Sequence, residues 1–206
     1  MSVYKMIIIS YVTLNTSYVD VLNEKLLPSL IKWNLAHEIV YIESKGSWAA
    51  NTAMKSQIIK DMLLKYRQPI CFIDADATIE HYPTLLFNIP QEYDISFHYL
   101  NWYGHWRNDW NNLSRMELLS GTMIWNYNEK TLALLDTWIE QVNKNINIWE
   151  QKVLEQIVKS KSDLKIYPLP AEYCCVVKAD YTIPSYIKEP IIIHWQASRE
   201  YKRRKL

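Results

Sequence analysis

Pro69-Ile70-Cys71-Phe72-Ile73-Asp74-Ala75-Asp76 is the stretch on which the reading of this chain turns. A short apolar run opened by proline reads as a buried strand, and this one runs straight into two aspartates separated by one small residue. Strand side chains alternate with a period of two, so Asp74 and Asp76 are expected on the same side at the end of that strand. Two carboxylates so close repel unless a cation or hydrogen-bond donors compensate them. In open α/β sheets ligands bind outside the carboxyl ends of the strands, where two hard oxygen ligands suit Mg²⁺ or Mn²⁺ bridging phosphates. Ala75 leaves room for a ligand against the backbone. A solvated acidic turn is the plain alternative.

Residues 4–12 are apolar and rich in isoleucine, followed by Thr13, Asn15 and Thr16, which reads as a strand ending in a polar loop. Residues 18–33 carry Val19, Leu22, Leu26, Leu30 and Trp33 close to helical spacing, and are expected to form one helix. Residues 37–43 read as a second strand, 48–66 as a second helix and 69–73 as the third strand. This alternation implies a largely parallel sheet with helices on its faces. Further on, 93–100 and 117–126 look like strands joined by a loop, 131–142 and 149–159 like helices, and 190–195 like a last strand. No repeat, low-complexity segment or Gly/Ser linker divides the chain, so one domain is expected over residues 1 to 206.

Bulk properties narrow the classes. Twenty-three basic and 22 acidic residues leave a net charge of +1, which gives no overall electrostatic case for nucleic acid or membrane. The cysteines, Cys71, Cys174 and Cys175, have neither zinc-ligand spacing nor a disulfide pattern, and point to a reducing, cytoplasmic setting. No segment reaches the roughly 18 uninterrupted apolar residues of a membrane span.

Other polar residues gather around the acidic pair. On the 48–66 helix, Trp48, Asn51, Lys55, Ile58, Met62 and Tyr66 share one face, so Asn51 and Lys55 sit on the buried side and could approach Asp74 and Asp76. Alternatively Lys55 snorkels to solvent and Asn51 closes a local hydrogen bond. His194 ends an apolar strand, where its imidazole could complete a shell for a Mn²⁺-like ion or act as a core histidine. Arg199 and Lys202, in the basic tail, could reach a diphosphate or remain solvated. The loop His98-Tyr99-Leu100-Asn101-Trp102-Tyr103-Gly104-His105-Trp106-Arg107 is crowded with rings on which a sugar can stack. Trp102, His105, Trp106 and Arg107 are the candidate acceptor contacts, with Gly104 the flexible point.

Ile73-Asp74-Ala75-Asp76-Ala77-Thr78 also matches an aspartate-nucleophile phosphatase signature. That chemistry needs a later paired acidic element, and Asp94, Asp109, Asp136, Asp163 and Asp180 are all isolated. A nucleotidyltransferase would carry a glycine-rich phosphate loop, but the only glycines are Gly46, Gly104 and Gly121. A nucleic-acid-binding or nucleic-acid-modifying protein, including one that glycosylates modified bases, is the second hypothesis, carried by the basic tail and the aromatic loop.

Gly46-Ser47-Trp48, Asn51, Lys55, Phe72-Ile73-Asp74-Ala75-Asp76, Ser120-Gly121-Thr122 and His194-Trp195-Gln196-Ala197-Ser198-Arg199, taken in order, resemble the GT-A glycosyltransferases. The likeness is to the small nucleotide-diphospho-sugar transferases of large DNA viruses and bacteria, and its specificity lies in the combination of motifs. It implies a Rossmann-like, mixed but mainly parallel sheet flanked by helices. It also implies transfer of a sugar from a nucleotide-sugar, most often a UDP-sugar, to a hydroxyl of a carbohydrate or other acceptor. On this resemblance Asp74, Asp76 and His194 hold Mn²⁺ or Mg²⁺ against the donor diphosphate. Ser10, Tyr11, Val12 and Thr13 line the base, while Trp48, Asn51, Lys55, Ala75, Ser120, Gly121 and Thr122 complete the donor site. Glu150 becomes the candidate general base of an inverting reaction, although Asn147-x-x-Glu150 also reads as a helix capping box. A retaining reaction would ask more of Gln151 as a sugar contact.

Overall fold

The computed structural model describes residues 6–145 and 148–199. In chain order its elements are β1 (Ile7–Thr13), α1 (Tyr18–Glu24), α2 (Leu26–Lys32), β2 (His37–Ile42), α3 (Trp48–Tyr66), β3 (Ile70–Ile73) and β4 (Ala77–Ile79). There follow β5 (Ile95–Asn101), α4 (Trp102–Arg107), β6 (Met116–Trp125), α5 (Glu129–Lys144), α6 (Glu150–Ser160), β7 (Ile166–Pro168), β8 (Cys175–Val176) and β9 (Ile192–His194).

Six strands form the main sheet in the order β2-β1-β3-β6-β5-β7. β2, β1 and β3 run parallel, β6 runs against both β3 and β5, and β7 is parallel to β5. The sheet is therefore mixed but mainly parallel, as expected. Its period-two alternation divides the core. Ile9, Ile70 and Phe72 face α3, α5 and α6 through Ile59, Leu63, Trp138 and Leu154. Ile8, Cys71 and Ile73 face the opposite side, where Leu22, Leu26 and Leu30 of α1 and α2 cover them. A sheet covered on both faces leaves only its strand ends to take a ligand.

The helix expected over 18–33 is broken at Lys25, whose φ of −112° and ψ of −81° are not helical. Pro28 explains the break, because its ring would meet the carbonyl of Glu24 in a continuous helix but is tolerated in the first turn of a new one. The loop expected between β5 and β6 contains α4, which is capped by Asn101 accepting from the Tyr103 and Gly104 amides. Gly104 is not a hinge, since a Cβ there would lie 2.2 Å from the Trp110 ring, so the glycine is a close packing contact.

Three short strands, β4, β7 and β8, have no counterpart in the sequence reading. β4, β9 and β8 make a second sheet, with Ala77 opposite His194 and Ile79 opposite Ile192. This pairing brings the end of the chain back to the acidic motif. Among the described residues no helix is long and apolar enough to cross a membrane.

Candidate active site

A cleft lies over the carboxyl ends of β1 and β3, where the antiparallel β6 breaks the parallel run. It is bordered by β1, the start of α3, the acidic motif, β6, the start of α6 and the His194 strand. Asp74 follows β3, and its amide donates to the Gly121 carbonyl at 2.8 Å, which ties the motif to β6. The chain then turns, with the Ala77 amide donating to the Asp74 carbonyl, and β4 begins. The pair of aspartates thus sits on a turn rather than on a continuing strand, yet the carboxylates still converge. One ligand atom from each of Asp74, Asp76 and His194 lies within 4.8 Å of the others.

His194 is held from three sides. Its Nε2 lies 2.8 Å from the Thr122 hydroxyl, its Nδ1 lies 3.8 Å from Asp76 Oδ1, and Gly121 backs the ring. Burial works against the imidazolium, but the Cys174 sulfur and the Asp76 carboxylate more than offset it and push His194 up to about 10. Burial likewise raises Asp76, but the His194 imidazole and the Ala197 amide, which donates at 2.9 Å, bring its carboxyl below the usual range. For Asp74 burial prevails over the opposing pull of Lys55, and its carboxyl lies above the usual range. Two carboxylate oxygens and, once its proton is displaced, an imidazole nitrogen crowded together suit a divalent cation.

Lys55 does not snorkel. Its buried ammonium lies 2.9 Å from Asp74 Oδ1 and 3.3 Å from Glu150 Oε1, and donates to Ser120 Oγ at 3.1 Å. Burial alone would lower Lys55, but the Asp74 and Glu150 carboxylates outweigh it and hold the ammonium above its usual value. Glu150 is buried, with Oε1 in this network and Oε2 without a hydrogen-bond partner among the described residues. α6 begins at Glu150 itself, with Trp149 as the cap residue and no side-chain cap bond, so Glu150 does not occupy the third position of a capping box. Asn147, the other half of that reading, lies outside the described residues. Gln151 accepts from the Ser120 amide at 2.9 Å and the Ser120 hydroxyl at 3.1 Å.

The other expected site residues divide into those the fold brings to the cleft and those it does not. Tyr11, Val12, Thr13, Trp48, Asn51, Ala75, Ser120 and Gly121 border it. The Asn51 side chain also closes the preceding loop, its Oδ1 accepting from the Lys45 amide at 2.6 Å. Ser10 does not border the cleft, being fully buried on the sheet with its hydroxyl unpartnered among the described residues. Thr122 is also fully buried and acts on the site through His194. Arg199 turns away to the Val177 and Lys178 carbonyls, which it meets at 3.1 and 2.8 Å, and lies over Trp106. Lys202 lies outside the described residues.

Of the aromatic loop only Trp102 borders the cleft. His105 is buried beneath Trp102 and Trp106, which removes it from direct contact with an acceptor. Trp106 and Arg107 are exposed outside the cleft. Trp102 itself stacks on Trp106 at 5.9 Å, with Arg115 5.6 Å from its ring, so it does not stand as a free stacking platform. The cleft also recruits Tyr18, Thr52, Trp149, Cys174, Gln196 and Ser198. Gln196 and Ser198 belong to the motif running from His194 to Arg199, whereas nothing local marks Cys174, which arrives through the small second sheet.

A family model for nucleotide-diphospho-sugar transferases matches residues 33–206. The chain belongs to this family. The transferase shares its fold with solved glycosyltransferases at low identity. One, involved in the glycosylation of the major capsid of PBCV-1, is 15% identical with a TM-score of 0.67 over 98% of this chain and 99% of that one. Mouse xyloside xylosyltransferase 1 is 11% identical with a TM-score of 0.58, over 94% and 98% of the two chains. Galactosyltransferase LgtC, solved with donor and acceptor sugar analogues, is 9% identical with a TM-score of 0.56, over 93% and 87%. No significant match was found among curated protein sequences. The transferase is thus a glycosyltransferase with the GT-A fold, and Asp74-Ala75-Asp76 is not read as a phosphatase motif.

Proposed function

We propose that this glycosyltransferase moves a sugar from a UDP-sugar to an acceptor hydroxyl, with Mn²⁺ or Mg²⁺ held by Asp74, Asp76 and His194. The observation that carries the reading is the convergence of those three side chains, with ligand atoms within 4.8 Å, on a cleft at the sheet's carboxyl ends. Bound there, the cation would supply positive charge for the leaving diphosphate.

The chain's own residues do the rest. Tyr11, Val12 and Thr13 at the end of β1 take the base, with Asn51 and Trp48 at the start of α3 beside it. Lys55 holds Asp74 and Glu150 in place from beneath the cleft, so that two carboxylates stand at fixed positions without repelling each other. In an inverting reaction the Glu150 carboxylate receives the acceptor's proton. Gln151, immediately after it, contacts the sugar in a retaining one. The acceptor is proposed to be a carbohydrate entering past Trp102, and the reaction to be carried by one domain. The buried, unpaired cysteines accord with a reducing, cytoplasmic setting.

Nucleotide release from UDP-glucose, UDP-galactose, UDP-xylose, UDP-N-acetylglucosamine and GDP-mannose, each with Mn²⁺ and with EDTA, tests the reading. UDP release from at least one donor in Mn²⁺ and none in EDTA is expected. No cleavage of any donor, or cleavage indifferent to EDTA, would contradict it.

A further inference from the structure

Glu117 is a buried carboxylate on β6 for which the proposed reaction has no use. Three donors meet on it. The Gln151 amide donates to Oε1 at 2.7 Å, the Trp102 indole N–H donates to Oε2 at 2.6 Å, and the Lys152 ammonium lies 3.1 Å from Oε2. Gln151 and Trp102 both border the cleft, one at the start of α6 and the other at the start of α4. We infer that Glu117 is a positioning residue for the transfer reaction, fixing the orientation of the Gln151 amide and the place of the Trp102 ring. The inference rests on the proposed transferase reading of this cleft.

The chemistry of the partners sets the orientation. An ionised carboxylate only accepts hydrogen bonds, so the NH₂ end of Gln151 must turn toward Glu117 and its carbonyl toward Ser120. There the carbonyl meets two donors, the Ser120 amide at 2.9 Å and hydroxyl at 3.1 Å. Reversing the amide would set oxygen against carboxylate at one end and NH₂ against N–H at the other. The indole bond is charge-assisted and short, so it fixes the edge of a ring whose faces are taken by Trp106 and Arg115. Lys152 offsets the charge of Glu117 and also pairs with Glu155 at 3.1 Å. Glu117 is thus a strut between the α6 and α4 sides of the cleft, the walls between which a sugar must fit.

Glu117→Gln tests this, because it replaces an acceptor-only group with one whose NH₂ must face either the Gln151 amide or the Trp102 and Lys152 donors. UDP affinity in Mn²⁺, read by calorimetry, is expected to stay within about two-fold of wild type, since Gln151, Trp102 and Lys152, which meet on Glu117, are not among the proposed metal ligands. The saturating rate of UDP release from the donor that the wild type cleaves fastest is expected to fall on the order of ten-fold, with donor KM little changed. Trp102→Phe, which keeps a ring but deletes the N–H, gives the same pattern more weakly. The double variant should lose less than the product of the two single losses, because both act on one bond. A wild-type rate in Glu117→Gln, or parallel losses of UDP affinity and rate, would overturn the inference. If the wild type neither binds UDP with Mn²⁺ nor cleaves any donor, the transferase reading itself fails and the inference with it.

Discussion

Gly121 lies so close beneath the His194 imidazole that a Cβ at residue 121 would stand 2.7 Å from Cε1 and 2.9 Å from Nδ1. A real side chain cannot occupy that space without displacing the ring, and Thr122 holds the ring at Nε2. The glycine in Ser120-Gly121-Thr122 is therefore explained by the histidine, 73 residues further on in the sequence numbering.

Gly121→Ala is expected to shift His194 and weaken Mn²⁺-dependent UDP binding by about 10-fold to 100-fold, the range seen when support for a metal ligand is lost. Overpacking should also cost about 1 to 3 kcal/mol of stability. Calorimetry of UDP in the presence of Mn²⁺ reads the first effect and urea unfolding the second. Unchanged affinity would reduce Gly121 to a packing residue.

Glu150→Gln separates a chemical role from a structural one. The carboxylate has one oxygen tied to Lys55 and the other buried, with no hydrogen-bond partner among the described residues. Turnover is expected to fall on the order of 10²-fold to 10⁴-fold with UDP affinity retained, as loss of a general base requires. Near-wild-type turnover on a working acceptor would shift the weight to Gln151 and a retaining reaction.

His105 gives the transferase an acid-sensitive interior. Burial, with Lys178 and Arg199 nearby, pushes its imidazole down to about 4, and its Nδ1 is 2.9 Å from the Tyr186 hydroxyl. The folded chain therefore declines a proton that the unfolded chain accepts at its ordinary value near 6.5. Stability from this group is fully present above pH 6.5 and is lost as pH falls from there toward 4, with a slope of at most about 1.4 kcal/mol per pH unit. His105→Gln should flatten the pH dependence of urea unfolding in that window. An equally steep profile in the variant would place the acid sensitivity elsewhere.

Much of this architecture is legible in order along the chain. The isoleucine-rich first strand, the helix of residues 48–66 and the run into Asp74 follow from local patterning, and their parallel pairing follows from alternation. Lys55 is legible too, because helical spacing alone puts it on the buried face with Asn51. What is not legible depends on contacts between distant segments. β4 and β8 are only three and two residues long and are defined by pairing with β9, so nothing in their composition announces them. The same pairing delivers His194 to Asp76 and carries Cys174 to the cleft.

The aromatic loop shows the limit from the other side. Composition marks it as rich in rings but does not say which are buried, and the 2.9 Å contact of His105 with the Tyr186 hydroxyl is what ties it to the body of the protein. Ser10 fails for a simpler reason. It shares its face with Ile8 and Val12 but lies short of the strand's carboxyl end, where Tyr11, Val12 and Thr13 reach the cleft.

The central claim is that Asp74, Asp76 and His194 bind a nucleotide through a divalent cation, and titrating UDP into the protein by calorimetry, with Mn²⁺ or with EDTA, tests it most directly. The wild type is predicted to bind UDP in Mn²⁺ and to lose that binding in EDTA. Asp76→Ala should fail to bind in either while unfolding at a temperature close to that of the wild type. UDP binding of equal strength in EDTA, or full Mn²⁺-dependent binding by Asp76→Ala, would contradict the account.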